Sequence, residues 1–268
     1  MSPLKGAYPS TKCDGSKYYR ASITYKNKHI SLGSFHEEHA AHQAYLDANS
    51  ILFENKYSYD NYNPDTSLAF EKWIILHNFR DNGYYIKTPI YMHKYYFSYF
   101  LEETVELTFD VDDLFYYSIH KIFKRKGYLF VNDYGIQSSI LQRFGIKNFS
   151  VEGKDYYFKD GNPYNLRYHN IVVINKYYGV EKGTSKGSEI YVTKIHIRGN
   201  YIVGKYISEE KAAIAFNKAA DYLKINKITN KTFPRNYIEN LGPTRYEEIY
   251  NKIRLPYKII NLNSFDKN

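Results

Sequence analysis

Two sets of residues in this chain have types and spacings that could do chemistry. The first is polar and basic and falls on two stretches that alternate like strands. It comprises Tyr18, Arg20, Ser22 and Thr24 with His29 and Ser31, and Lys194, His196 and Arg198 followed by Asn200. Residues two apart on a strand share a face. Each stretch therefore presents a row of cations, hydroxyls and amides, groups that can meet phosphate oxygens and base edges. An ordinary solvated sheet face would read the same way. The second set is the run Asp160-Gly161-Asn162-Pro163, with Asn165, Arg167, His169 and Asn170 behind it. Asp and Asn in a tight loop satisfy backbone groups. Metal-assisted hydrolysis needs more: a general base to activate water and a hard ligand for a divalent ion.

The elements that must position these residues occur twice. Ile30-Ser31-Leu32-Gly33-Ser34-Phe35 precedes an alanine-rich segment with an acidic start, and so does Tyr201-Ile202-Val203-Gly204-Lys205-Tyr206, 171 residues later. Gly33 pairs with Gly204, Phe35 with Tyr206, Ala41 with Ala212, Ala44 with Ala215, Tyr45 with Phe216 and Leu52 with Leu223, without a gap. Such an internal repeat sets the domain plan. Alternation predicts strands at 6–12, 18–25 and 28–35, then a helix at about 37–53 with Ala41, Ala44, Tyr45, Ala48 and Leu52 on one face. The second copy predicts strands near 179–186, 189–198 and 200–207 and a helix near 208–226. Its stripe is Ala212, Ala215, Phe216, Ala219 and Leu223, and its Arg198-Gly199-Asn200 turn is one residue shorter than Lys26-Asn27-Lys28 and its flanks. Tyr19, Ala21 and Ile23 then face the first helix, as do Ile30 and Leu32. Ile195 and Ile197 face the second. Between the copies, 108–113 reads as an acidic loop leading into a helix, 127–131 as a strand and 135–144 as a short helix. One more helix is expected near 243–254.

Composition narrows the function classes. The chain has 268 residues, 37 Lys plus Arg against 28 Asp plus Glu, and a net charge of +9. The excess is uneven. Residues 1–60 hold 7 basic and 6 acidic residues, 61–175 hold 13 of each, and 176–268 hold 17 and 9. A basic C-terminal third suits a polyanionic partner. The 32 tyrosines are explained by AT-rich codons and carry no argument for base stacking. The one cysteine, Cys13, excludes an intramolecular disulfide framework and a Cys-based zinc knuckle. No apolar run approaches the ~20 residues needed to span a bilayer, and Met1-Ser2-Pro3-Leu4-Lys5 lacks an apolar signal-peptide core. The expectation is a soluble, intracellular protein without membrane contact, cytoplasmic and nucleoid-associated in a prokaryotic or phage setting.

On Leu32-Gly33-Ser34-Phe35, Val203-Gly204-Lys205-Tyr206, the acidic helix starts and the alanine run 212–216, each copy resembles the plant ethylene-response-factor (APETALA-type) DNA-binding domain. That resemblance implies a sheet whose outer face enters the major groove of double-stranded DNA. The family's arginine- and tryptophan-rich outer face is not matched here, so no base sequence carries over. On Lys159-Asp160-Gly161-Asn162-Pro163-Tyr164-Asn165-Leu166-Arg167-Tyr168-His169-Asn170-Ile171 the middle segment resembles the HNH homing endonucleases, which also carry APETALA-type domains. The resemblance places a catalytic histidine at Phe158, an acidic ligand at Tyr157, the central asparagine at Asn170 and a last ligand near Gly179. Phe158, Tyr157 and Gly179 depart from the pattern; Asn175 is the only nearby substitute for the last ligand, and His169 stands next to the kept asparagine but out of register.

The expected fold class is α+β: two units of a three-stranded antiparallel sheet plus a helix, at 1–60 and 179–235, flanking a degenerate HNH-like, ββα-type middle domain at 66–178, with a tail at 236–268. The expected function is sequence-specific double-stranded DNA binding, as a transcriptional regulator descended from a homing endonuclease that no longer cuts. No catalytic residue, metal or cofactor is expected. A metal-dependent nuclease with a rearranged site and a phage–host protein-interaction factor are the alternatives.

Overall fold

A computed structural model describes residues 4–262. Met1–Pro3 and residues 263–268, the end of the expected tail, lie outside the described residues. The chain forms two compact units. Among the described residues, the first holds those up to Ile140 together with Asp160–Asn170; the second holds Leu141–Lys159 and those from Ile171 to Leu262. The stretch 66–178, expected as one middle domain, is thus divided between them.

The first unit opens with β1 (Ala7–Thr11), β2 (Lys17–Tyr25) and β3 (Lys28–Phe35), an antiparallel sheet in that order, followed by α1 (Glu38–Leu52). Lys26 and Asn27 both have positive φ, 46° and 60°, the twist of a two-residue hairpin that suits right-handed strands. Ala41, Ala44, Ala48, Ile51 and Leu52 of α1 are buried against Ala7, Ala21, Ile23, Ile30 and Leu32. Alanines let the helix lie close to the sheet, and Tyr45 is only half-buried.

The same core continues into α2 (Phe70–Asn82), a helix that no sequence pattern announces. Seven successive residues, Trp73–Phe79, are buried. A helix covered on all sides has no polar face, so its 3.6-residue signature vanishes. His77 sits inside this wall, with its ring nitrogens 2.8 Å from the Trp73 carbonyl and 3.2 Å from the Tyr57 carbonyl. Burial pushes its pKa below the usual value, against the opposing pull of the two carbonyls.

Next come β4 (Ile90–Met92), β5 (Tyr96–Glu102) and β6 (Val105–Asp110), α3 (Leu114–Ile119), then β7 (Ile122–Arg125), β8 (Tyr128–Asp133) and β9 (Ile136–Ser139), two further three-stranded antiparallel sheets. Residues 108–110, expected as loop, end β6, because Phe97 opposite Phe109 draws them into the ladder. The helix expected at 135–144 is instead β9 plus a 3-10 turn at Ile140–Phe144.

The second unit contains the short pair β10 (Tyr156–Phe158) and β11 (Ile171–Val173). It continues with β12 (Val180–Ser185), β13 (Ser188–His196) and β14 (Asn200–Tyr206), again ordered antiparallel, and α4 (Glu209–Ile225). Ser208 caps α4 by accepting the Lys211 N–H at 3.3 Å, and Glu209 and Glu210 occupy the positive first turn. Ala215, Phe216, Ala219 and Leu223 pack on Ile195 and Val203. Ile228, Ile253 and Ile259 complete that core from the segment after the helix, which forms α5 (Pro243–Lys252) and α6 (Tyr257–Ile260). The chain is therefore α+β, with the expected sheet-plus-helix unit built twice. No helix among the described residues is long and apolar enough to cross a membrane.

Candidate nucleic-acid interface

Each sheet carries a β-bulge, and the two bulges coincide. Ala21 pairs with Gly33 and Ser22 with Ser31, leaving Leu32 as the extra residue. Thr193 pairs with Gly204 and Lys194 with Ile202, leaving Val203. Both extra residues are buried in their cores. The chain leads into both sheets alike. The Ser22 N–H donates to the Gly6 carbonyl at 3.2 Å, and the Lys194 N–H to the Gly179 carbonyl at 2.7 Å. Gly6 and Gly179 both have left-handed φ, +81° and +69°, and a Cβ at either would lie 2.2 Å from the ring of Tyr45 or Phe216, themselves a repeat pair. Gly179, read from sequence as a lost ligand position, is thus the lead-in glycine of the second sheet. Only glycine fits the dihedral and the contact together.

The register fixes the outer faces, because directly opposed residues project to the same side. In the first sheet Tyr8, Arg20 and Ser34 are one outward row, Ser22 and Ser31 the next, and Thr24 and His29 the last. Tyr18, beside Ser10, is half-buried. Arg20, Thr24, His29 and Ser31 are exposed, and Arg20 makes no ion pair with any described residue. Ser22 departs from expectation: it is only 8 % exposed. The lead-in segment runs alongside it, and Ser22 lines a recess with Lys5, Gly6 and Tyr8.

In the second sheet the corresponding rows are Glu181, Val192 and Lys205, then Lys194 and Ile202, then His196 and Asn200. Lys194 is not the free cation expected. Its Nζ lies 2.6 Å from Glu181, which also holds Lys154 at 3.0 Å. Both lysines keep the Glu181 carboxyl below its usual pKa, Lys194 foremost. His196 Nδ1 is 3.0 Å from the Asn200 amide oxygen, so these two act as a pair. Arg198 is exposed but off the strand: β13 ends at His196, and Ile197–Gly199 form the loop. This loop is one residue shorter than the stretch between Thr24 and His29, so the last ladder pair of the first hairpin has no counterpart.

The Asp160–Asn170 loop is closed by its own polar groups. Asn170 is 2 % exposed; its Oδ1 accepts the Asp160 N–H at 3.0 Å and its Nδ2 donates to the Asn165 carbonyl at 2.8 Å. Asp160 accepts the Asn162 N–H at 2.8 Å and the Asn165 amide at 2.6 Å. These bonds, the Asn162 N–H first, hold the Asp160 carboxyl below its usual pKa. Arg167 donates to Asp110 at 2.9 Å. His169 is exposed. Phe158 is buried and carries nothing ionisable, while Tyr157 is exposed. Asn175 is buried and bonded to Asp155 at 3.0 Å. Among the described residues, no group of three or more His, Cys, Asp or Glu side chains is arranged to hold a metal ion.

Three features lie beyond what the sequence patterns show: Glu181 as counter-charge, the lead-in glycines and the bulges. Only the glycines leave a trace there, as Gly6 and Gly179 standing at the same place in each repeat. No protein-family model, no curated protein and no solved structure matches the chain.

Proposed function

We propose that this chain is a sequence-specific double-stranded DNA-binding protein that does not cut, acting by occupancy as a transcriptional regulator. The observation that carries the reading is the duplicated sheet-on-helix unit with an identical bulge and a polar outer face. Three strands spaced about 4.8 Å apart present a face about 10 Å wide, which fits a major groove about 12 Å wide. Arg20, Thr24, His29 and Ser31 stand exposed on one such face; His196, Asn200 and the loop residue Arg198 are exposed on the other. Equivalent rows carry different residues, Arg20 against Val192 and Thr24 against His196, so the two faces read different base pairs and the composite site is not a repeat. Lack of cleavage is supported by Asn170, whose amide is spent on the loop, and by the aromatic Phe158.

Selection of bound fragments from random duplex DNA, followed by salt titration, tests this. A single selected sequence and a log–log salt dependence are expected. The double variant Arg20→Ala with Arg198→Ala should remain folded, weaken the selected site by about 1–3 kcal/mol and flatten the salt slope. Unchanged affinity and slope in that variant would remove the sheets as the reading surface.

A further inference from the structure

Beside the bulge of the second sheet lies a cavity of about 540 Å³, within the size range of small-molecule sites. Four lysines line it: Lys147, Lys154, Lys194 and Lys231. They come from separate segments, one before β10, one beside it, one on β13 and one after α4. Only two carboxylates line it, Glu181 and Asp155, so four positive charges against two negative leave a formal +2. Glu181 is divided between Lys154 and Lys194. Asp155 is held by the Val151 N–H at 2.8 Å and the Asn175 amide at 3.0 Å. Lys147 and Lys231 pair with no carboxylate among the described residues. Their ammonium groups rest on main-chain carbonyls, Tyr177 at 2.7 Å and His196 at 3.0 Å. An ammonium has three N–H donors, so each keeps others to offer. Burial pushes the Lys147 pKa down, a penalty an anion would relieve.

The first sheet supplies an internal control. The equivalent recess, about 360 Å³, is lined by the matching residues Gly6, Ser22, Thr24, His29 and Tyr45, yet holds a single lysine, Lys5, and no acid. The fold alone makes the recess; the second copy has added the charge. Phe149 stands fully exposed at the cavity with φ +64°, a flat apolar surface next to the cations.

We infer that this cavity binds a phosphomonoester or phosphodiester group, with Lys147 and Lys231 as its unneutralised partners and Phe149 placed to stack on an attached base. The assignment is independent of whether the sheets read DNA. The phosphate could arrive on a free nucleotide or within a DNA backbone.

The test uses the full chain with inorganic phosphate, thymidine 5′-monophosphate, thymidine and a short duplex, measured by titration calorimetry and by side-chain NMR of the lysines. Phosphate and the nucleotide should saturate one site that thymidine does not occupy. Lys231→Gln should weaken both by about tenfold or more, the size of a lost charge-assisted hydrogen bond. Lys231→Arg should retain binding, and Lys5→Gln in the first recess should change nothing. Nucleotide binding tighter than phosphate and not displaced by duplex identifies a free nucleotide. Displacement by duplex, lost in Lys231→Gln, identifies a backbone phosphate. Absence of saturable phosphate and nucleotide binding below about 10 mM, or equal binding by the parent, Lys147→Gln and Lys231→Gln, overturns the assignment. Failure of the DNA-reading proposal would show separately, as loss of sequence preference with phosphate binding intact.

Discussion

The two sheet-on-helix copies share a skeleton and differ in what they hang on it. Bulge, lead-in glycine, aromatic lid and alanine stripe coincide residue for residue. The outer faces do not: Arg20 is unpaired by acid, whereas Lys194 shares Glu181 with Lys154. Nor are the cores completed alike. The first is closed by α2, with Trp73, Ile74 and Phe79; the second by Ile228, Ile253 and Ile259. Net charge alone is therefore a poor guide to which copy presents unpaired cations. Several cations of the second copy are held in ion pairs within it, Lys182 by Glu189 included, while its net excess stands. A fragment of residues 1–60 would also lack the helix that finishes its core, so comparisons of the copies belong in the full chain.

The largest expected effect tests the shared skeleton. Gly6→Ala and Gly179→Ala each force a Cβ into an aromatic ring at 2.2 Å and a left-handed dihedral on alanine. Each should destabilise its own unit by about 3 kcal/mol or more, through strain and overpacking. Denaturant unfolding followed by hydrogen exchange assigns the loss to one unit. If either position accepts alanine without cost, the two glycines are not the same device.

An intermediate effect tests the outer faces. Glu181→Gln frees Lys154 and Lys194 together, so duplex DNA should bind more tightly at low salt with a salt slope steeper by about one to two units. Exchanging Glu189, which faces Lys182, offers a second measure of the same kind. An unchanged slope in Glu181→Gln would mean that the second outer face never meets phosphate.

The smallest effect separates the cores by titration. His77 is fully buried on α2, and burial holds its pKa below the unfolded value near 6.5. Arg80 adds to that depression and Asp81 opposes it; His93, in the same unit, is lowered too. The unfolded chain then binds the proton first, so stability is full above about pH 6.5 and falls as pH drops below it. The loss per histidine is at most about 1.4 kcal/mol per pH unit. The second core buries Asn217 and Asn236, bonded at 2.9 Å, which do not titrate. Trp73, the sole tryptophan, reports the first unit alone. Its unfolding midpoint should drop between pH 7 and 5, with the second unit holding steady. A flat Trp73 midpoint would show that His77 is not kept neutral.

What is legible in the sequence follows from the range over which each signal acts. The alanine stripes and alternating strands are local patterns, so both copies and their boundaries can be placed to within a residue or two. Trp73–Phe79 carries no pattern because packing surrounds it. The bulges cannot be seen, since one added core residue, Leu32 or Val203, looks like ordinary alternation until its partner strand is in place. The burial of Ser22 on its outward row escapes notice for the same reason, since it depends on Gly6 sixteen positions earlier. Lys194 reads as free because its carboxylate lies thirteen residues away on the neighbouring strand. Asn170 is recognisable as a kept position; that its amide closes the loop needs the hydrogen bonds.

The coincident bulges have a consequence for how these copies can change. Each bulge sets two successive residues of one strand on the core side, Leu32 with Gly33 and Val203 with Gly204. Deleting Leu32 or Val203 would regularise the ladder and leave the paired residues on their faces, but it would remove a buried side chain from the core, a loss of about 2–5 kcal/mol. Point changes on the outer rows carry no such penalty; Ser22 opposite Lys194 and Thr24 opposite His196 are examples. Drift is free to rewrite the surface, whereas mending the ladder empties a place in the core. The irregularity is thus a packing feature that two otherwise divergent sequences share.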